Sequence, residues 1–247
     1  MRTSGHWRIA AAAVVALALA LGAESVQAQS FTIQQIINNG NSVTFGDKVF
    51  SDWSVTVNAS AGSAVTPNAG TITVNYLGLT GTTETLGFDF NAFAGAFTPG
   101  SFSDADFTIR FHVHSLGTPI QQIGLGGVAA STSGTSTATI DETSSPAGTP
   151  TDIHYQNVDG IVTQTGGTIA YAPPVTDLSI TKNINVSAFN GGGPTAYSTM
   201  SAFDETFTQT PVPEPASLIM AGLACTGLVA RGFRKRHKAR FAGLQGC

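Results

Sequence analysis

The chain has 247 residues and a formal charge of -4, and only 11% of its residues are charged. Between Gln29 and Thr210 the only basic residues are Lys48, Arg110 and Lys182, against thirteen acidic ones. Such a stretch repels phosphate backbones, which excludes nucleic acid as a partner. Both cysteines, Cys225 and Cys247, lie outside it, so it holds neither a disulfide framework nor a four-cysteine zinc site.

Residues 1–28 read as a secretory signal peptide. Arg2 and Arg8 form a positive start, and an apolar run from Ile9 to Leu21 follows, too short to span a bilayer comfortably. Val26 and Ala28 are small residues where signal peptidase reads, which predicts cleavage between Ala28 and Gln29. The alternative is an uncleaved N-terminal anchor.

Residues 29–210 read as one all-β domain. Thr32–Asn38 alone looks helical, with Ile33, Ile36 and Ile37 on one side and Gly40 as a stop. Beyond it, apolar residues alternate with polar ones in the period-2 manner of half-buried strands. Val49, Trp53, Val55 and Val57 share a face, with Phe50 breaking the pattern. Ile72, Val74 and Tyr76 follow, then Leu86, Phe88 and Phe90, then Phe107, Ile109, Phe111 and Val113. Ala129–Ala138 and Thr143–Thr151 read as long surface loops, being rich in Ser, Thr, Gly and Pro. Leu178, Ile180, Ile184, Val186 and Ala188 then alternate with Thr181, Asn183, Asn185 and Ser187, and Phe203 and Phe207 share a face. Many short strands with regular turn signals predict an antiparallel, jelly-roll-like β-sandwich.

Residues 211–247 form a second address. Pro211, Pro213 and Pro215 make a stiff, non-helical stretch. The apolar run 216–230 follows, expected as a single short transmembrane helix. At about 1.5 Å per residue it covers roughly 22 Å of a hydrocarbon core about 30 Å thick. The basic tail 231–247 opens with Arg231, Arg234, Lys235 and Arg236, a stop-transfer cluster expected on the cytoplasmic side.

The order Val212-Pro213-Glu214-Pro215-Ala216-Ser217, apolar helix and Arg-rich end resembles the PEP-CTERM sorting signal of exported proteins in Gram-negative bacteria that make exopolysaccharide or biofilm matrix. The tail from His237 to Cys247 is longer than such signals usually carry. The resemblance implies recognition of Pro213, Glu214 and Pro215 by a membrane-embedded exosortase, which releases the protein from its C-terminal helix. Gly46-Asp47-Lys48-Val49-Phe50-Ser51-Asp52, Thr181-Lys182-Asn183-Ile184 and Ser201-Ala202-Phe203-Asp204-Glu205 are similar to stretches in a group of PEP-CTERM proteins known mainly as uncharacterised. This second resemblance implies no activity.

Candidate chemistry inside the domain is sparse. His112 and His114 leave the same face of one strand and could ligate a metal with help from Asp104, Asp106 or His154, although Arg110 beside them repels cations. Asp104-Ala105-Asp106 is a fragment of a calcium loop without its remaining ligands. Asp141-Glu142 and Asp204-Glu205 are adjacent carboxylates that point to opposite faces, so neither pair alone makes a glycosidase site. No Gly-x-Ser-x-Gly or phosphate-binding Gly-rich motif occurs. Trp53, Tyr76, Tyr155 and Tyr171 would stack on sugars if exposed, yet alternation puts Trp53 and Tyr76 on core faces.

The expectation is a non-enzymatic, exosortase-processed protein of the cell surface or extracellular matrix. Its role is structural or adhesive in exopolysaccharide or biofilm, with no cofactor, catalytic residue or metal ligand assigned. Its expected partners are signal peptidase, exosortase and exopolysaccharide. A carbohydrate-binding module is the alternative. A matrix glycan hydrolase is the third reading; it requires a cleft holding two of Asp104, Asp106, Asp141, Glu142 and Asp204.

Overall fold

The structure, a computed structural model, describes residues 29–210. Ala28 and the rest of the expected signal peptide lie outside the described residues. So do Pro213, Glu214, Pro215, the expected helix 216–230 and the tail bearing Arg231, Arg234, Lys235 and Arg236. Gln29 lies inside, and its carbonyl accepts a hydrogen bond from Tyr76 N at 2.9 Å. Among the described residues no helix is long and apolar enough to cross a membrane.

A three-residue strand, β1 (Ser30–Thr32), runs into the short helix α1 (Ile33–Asn38). Thr32 caps that helix. Its Oγ1 accepts from Gln35 N at 3.2 Å, while Gln35 Oε1 accepts from Thr32 N at 2.8 Å, so each satisfies a donor the other leaves free. Ile33 and Ile36 dock on the core, and the chain leaves through Gly40 at φ +95°. Then come β2 (Ser42–Phe45), β3 (Lys48–Ala61), β4 (Thr73–Thr80), β5 (Thr83–Ala96), β6 (Phe102–Ser115) and β7 (Ile120–Ser133). The remainder are β8 (Thr135–Ser145), β9 (Asp152–Val158), β10 (Ile161–Thr165), β11 (Gly167–Val175), β12 (Asp177–Phe189) and β13 (Ala196–Gln209).

The strands form two antiparallel sheets, ordered β1-β4-β5-β13-β7-β11 and β10-β9-β8-β12-β6-β3-β2. The longest registers run down the middle of each sheet, Asp177–Phe189 against Phe102–His114 in one and Ala196–Thr208 against Thr83–Ala96 in the other. The chain crosses repeatedly from sheet to sheet, as at β5 to β6, β6 to β7, β7 to β8 and β12 to β13, in the jelly-roll-like manner. The β7–β8 crossing turns on Gly134 alone, at φ +67°, where a Cβ would lie 3.1 Å from Ala196. Glycine answers both demands.

Aromatic rings fill the space between the sheets. Trp53 stacks on Phe111 at 4.7 Å, Phe88 on Phe203 at 4.6 Å, and Phe88 reaches Phe111 across the layers at 5.9 Å. Burying each ring contributes about 1.5–3 kcal/mol, so this cluster is the main adhesive between the sheets.

Two sequence expectations are corrected. Val49 and Val57 do not share the core face with Trp53; Lys48 and Phe50 point inward instead, and Val57 is exposed. The cause is a β-bulge between Ser51 and Ser54, with Asp52 at φ +56°, which flips the strand's phase so that Phe50 and Trp53 both face the core. Phe50 therefore marks the bulge. Nor are Ala129–Ala138 and the first part of Thr143–Thr151 loops: they are the ends of β7 and β8. Their hydroxyls serve as internal donors and acceptors. Thr132 Oγ1 donates to Asn157 Oδ1 at 2.8 Å, and Ser136 Oγ donates to Ser133 O at 3.1 Å.

Candidate functional site

The five carboxylates required for a hydrolase cleft fall in three places. Asp104, Asp106 and Asp141 lie on the outer face of the seven-stranded sheet, Asp204 lies on the outer face of the other sheet, and Glu142 is sealed in the core. On the first of these faces Asn185 Nδ2 donates to Asp104 Oδ1 at 2.8 Å, and Asn58 Nδ2 donates to Asp106 Oδ1 at 3.0 Å. Asn183 and Asn185 of β12 stand between β6 and Asp141 on β8. The result is a flat polar belt of Asp, Asn and Thr across neighbouring strands, not a cleft.

The histidines also spread out. His112 and His114 do leave one face of β6, and both meet a residue that sequence reasoning had not paired with them. Asp177 Oδ1 lies 2.7 Å from His114 Nδ1 and 3.4 Å from His112 Nε2. The His114 hydrogen bond, foremost, holds the Asp177 carboxyl below its usual range. His154 pairs with Asp141 on the neighbouring strand. Among the described residues no group of three or more His, Cys, Asp or Glu is arranged to hold a metal ion. An open hollow of about 530 Å³ sits at the sandwich edge, lined by Asp152, His154, Gln164 and Gly166 among others.

Inside the sandwich are two ion clusters. Lys182 of β12 is 0% exposed, and its Nζ contacts an oxygen of Glu142 on β8 and of Glu205 on β13, each also 0% exposed. The ammonium lies 4.9 Å from the centre of the Phe203 ring. Burial alone would lower the Lys182 pKa; the Glu142 and Glu205 charges outweigh it and leave it raised. Burial, then the Glu142 charge, push the Glu205 carboxyl well up. Tyr171 faces this cluster and donates to Ser144 Oγ at 2.8 Å; burial foremost pushes its phenol up to about 12. In the second cluster Lys48 Nζ lies 2.6 Å from Glu84 Oε2 and 2.7 Å from Asp47 Oδ1. Burial would raise Asp47, but hydrogen bonds from Lys48 and Gln209 outweigh it and hold it below the usual range.

Sequence reasoning missed both clusters, although the signal was present. Lys182 sits between Ile180 and Ile184, Glu205 between Phe203 and Phe207, and Glu142 two residues from Ile140, all at core-facing positions of alternating strands. Alternation did place Trp53 and Tyr76 correctly, and Tyr155 and Tyr171 are buried with them, so these four make no sugar platform. A different aromatic set is exposed. Ala92, Ala94 and Ala96 take the inward positions of β5, which turns Phe93, Gly95 and Phe97 outward. The Phe93 and Phe97 rings stack at 6.1 Å over Gly95, and Tyr197 is the cross-strand partner of Gly95. Phe97 is 53% exposed and Tyr197 38%.

These features define an antiparallel β-sandwich with charged clusters closed inside it. Residues 211–236 match the model of the PEP-CTERM protein-sorting motif. The chain therefore carries a PEP-CTERM sorting motif, which indicates an exosortase-targeted surface protein. No curated protein matches it in sequence. Among solved structures it is similar to TmCBM61 in complex with beta-1,4-galactotriose, at 10% identity over 64% of this chain and 90% of that one, with a TM-score of 0.30. It is also similar to a structure of infectious bursal disease virus, Gx strain, at 11% identity over 60% and 44%, TM-score 0.30. A third is the bacteriophage CBA120 tailspike protein 4 enzymatically active domain, at 14% identity over 62% and 19%, TM-score 0.24. None of the three is close enough in shape to bring a function with it.

Proposed function

We propose that the chain is a non-enzymatic structural or adhesive protein of an exopolysaccharide or biofilm matrix, released to the cell surface or medium by exosortase. The observation that carries this reading is the sorting motif at 211–236. The sandwich supports it: the carboxylates that could have served a hydrolase are divided between two outer faces and the core. Intact mass of the protein from supernatant and envelope fractions of the native host tests it. The expected species begins at Gln29 and ends near Pro213–Ala216. A chain that keeps Arg231–Cys247 and stays in the membrane would sink release by exosortase.

A second reading, carbohydrate binding, is favoured by the exposed rings of Phe97 and Tyr197, with the half-buried Phe93 stacked on Phe97, since aromatic faces stack on the apolar faces of sugars. It predicts that the double variant Phe97→Ser, Tyr197→Ser loses retention on a column of the host's own exopolysaccharide. Unchanged retention would remove these rings from the account.

A further inference from the structure

The Lys182 cluster differs from the Lys48 cluster in two respects that decide its chemistry. All three of its side chains are cut off from water, whereas Asp47 in the other cluster reaches solvent. Two of its oxygens, Glu142 Oε1 and Glu205 Oε1, are buried and accept from no other residue, which leaves only a proton shared between the two carboxyls to serve them. In the Lys48 cluster the corresponding oxygen, Glu84 Oε1, accepts from Asp47 N at 3.3 Å and from Tyr76 Oη at 3.4 Å, and Gln209 Nε2 donates to Asp47 Oδ2 at 2.7 Å. A folded core rarely keeps even one polar oxygen without a donor, so two in one cluster call for an explanation.

We propose that the folded domain joins Lys182 to Glu205 by an intramolecular amide bond. Lys182 Nζ already touches an oxygen of both carboxyls, and an amine held against a carboxyl in a water-free site reacts as though at very high concentration. Glu205 carries the proton that burial forces on it, which leaves Glu142 as the base. Glu142 takes one proton from the ammonium across their existing contact. The freed Nζ lone pair attacks Glu205 Cδ and the Nζ–Cδ bond forms. Glu142 returns its proton to the Cδ hydroxyl, which leaves as water. It then takes a second proton from Nζ. The products are a neutral amide, a protonated Glu142 and one water, so the charge of the cluster is unchanged at zero and no oxidant or cofactor is consumed. One orphaned oxygen of Glu205 is removed, and the Glu142 hydroxyl gains the new amide carbonyl as acceptor. Glu142 is a positioning and proton-transfer residue that stays unmodified. The bond ties β12 in one sheet to β13 in the other, through the core. The Lys48 cluster, with its oxygens satisfied and one edge wet, remains an ion pair.

The test is mass spectrometry on the full chain and on the form released by the host. The expected result is a chain lighter by one water than its sequence. After denaturation, trypsin fails to cut after Lys182, and a second digestion with chymotrypsin, which cuts at Phe189, Tyr197 and Phe203 between the two residues, yields a branched peptide linking Lys182 to Glu205. Glu142→Gln, checked for folding by circular dichroism, shows the unmodified mass and is cut after Lys182. An unmodified wild-type mass with cleavage after Lys182 overturns the proposal, as does a branch that ends on Glu142. Should Glu142→Gln fail to fold, the wild-type branched peptide decides alone.

Discussion

Lys48 and Glu84 stand 2.6 Å apart with almost no solvent access. Removing one member of such a pair leaves a charge in a medium that cannot screen it, whereas removing both is far milder. Lys48→Met, which leaves the buried Glu84 without its cation, is expected to lower stability by about 3 kcal/mol, Glu84→Leu by less because Lys48 keeps Asp47 at 2.7 Å, and the double variant Lys48→Met, Glu84→Leu by much less than Lys48→Met alone. Urea unfolding of the four members of this cycle measures the coupling; equal losses in the single and double variants would contradict it. Gly46 belongs to the same arrangement, since a Cβ there would run into the Glu84 carboxyl. At Tyr171 burial pushes the phenol pKa up to about 12, above the ordinary tyrosine value of 10. A group whose folded pKa is raised lends stability that is complete below its unfolded value and is lost as pH climbs through the folded one. The wild type therefore weakens between about pH 10 and 12. Tyr171→Phe loses about 1 kcal/mol at neutral pH with its bond to Ser144 and shows a shallower alkaline decline, read from urea midpoints at pH 9 to 12. An identical slope in both proteins would remove Tyr171 from the account.

At the scale of elements, β3 holds the most informative irregularity. Asp52 occupies the left-handed region at φ +56°, where glycine is free and a β-branched residue is strained. Asp52→Val is expected to destabilise by about 1–2 kcal/mol, and Asp52→Gly to be nearly neutral; thermal unfolding distinguishes them, and a harmless valine would mean that the bulge is not fixed there. This element also shows why the sequence was only partly legible. Strands β6 and β12 keep strict alternation, so their buried faces could be read directly from Phe107 or Ile184. A bulge inserts one residue and inverts the phase, which a period-2 reading sees only as a flaw at Phe50. The hydroxyl-rich ends of β7 and β8 read as loops in the sequence because Ser and Thr satisfy turns and strand crossings by the same hydrogen bonds. The charged clusters were overlooked for a further reason. Alternation was read through apolar residues alone, and Lys182, Glu142 and Glu205 obey it as charges. The three stretches that resemble other PEP-CTERM proteins contain Asp47, Lys48, Lys182 and Glu205, four of the residues of these clusters.

At the scale of the whole domain, charge is sorted between inside and outside. Every glutamate between residues 29 and 210, namely Glu84, Glu142 and Glu205, is buried, and so are both lysines. The outer surface carries aspartates and one cation, Arg110. An amine-reactive ester applied to the native protein is therefore expected to leave Lys48 and Lys182 untouched, and peptide mapping that finds Lys48 modified without denaturation would contradict its burial. The same sorting bears on how the molecule ages. Reducing sugars condense slowly with accessible lysine amines, a glycation that browns and cross-links long-lived proteins wherever sugars are concentrated. A domain that keeps both ε-amino groups behind a wall of aromatic rings offers the aldehyde ends of surrounding sugars no side-chain amine to attack.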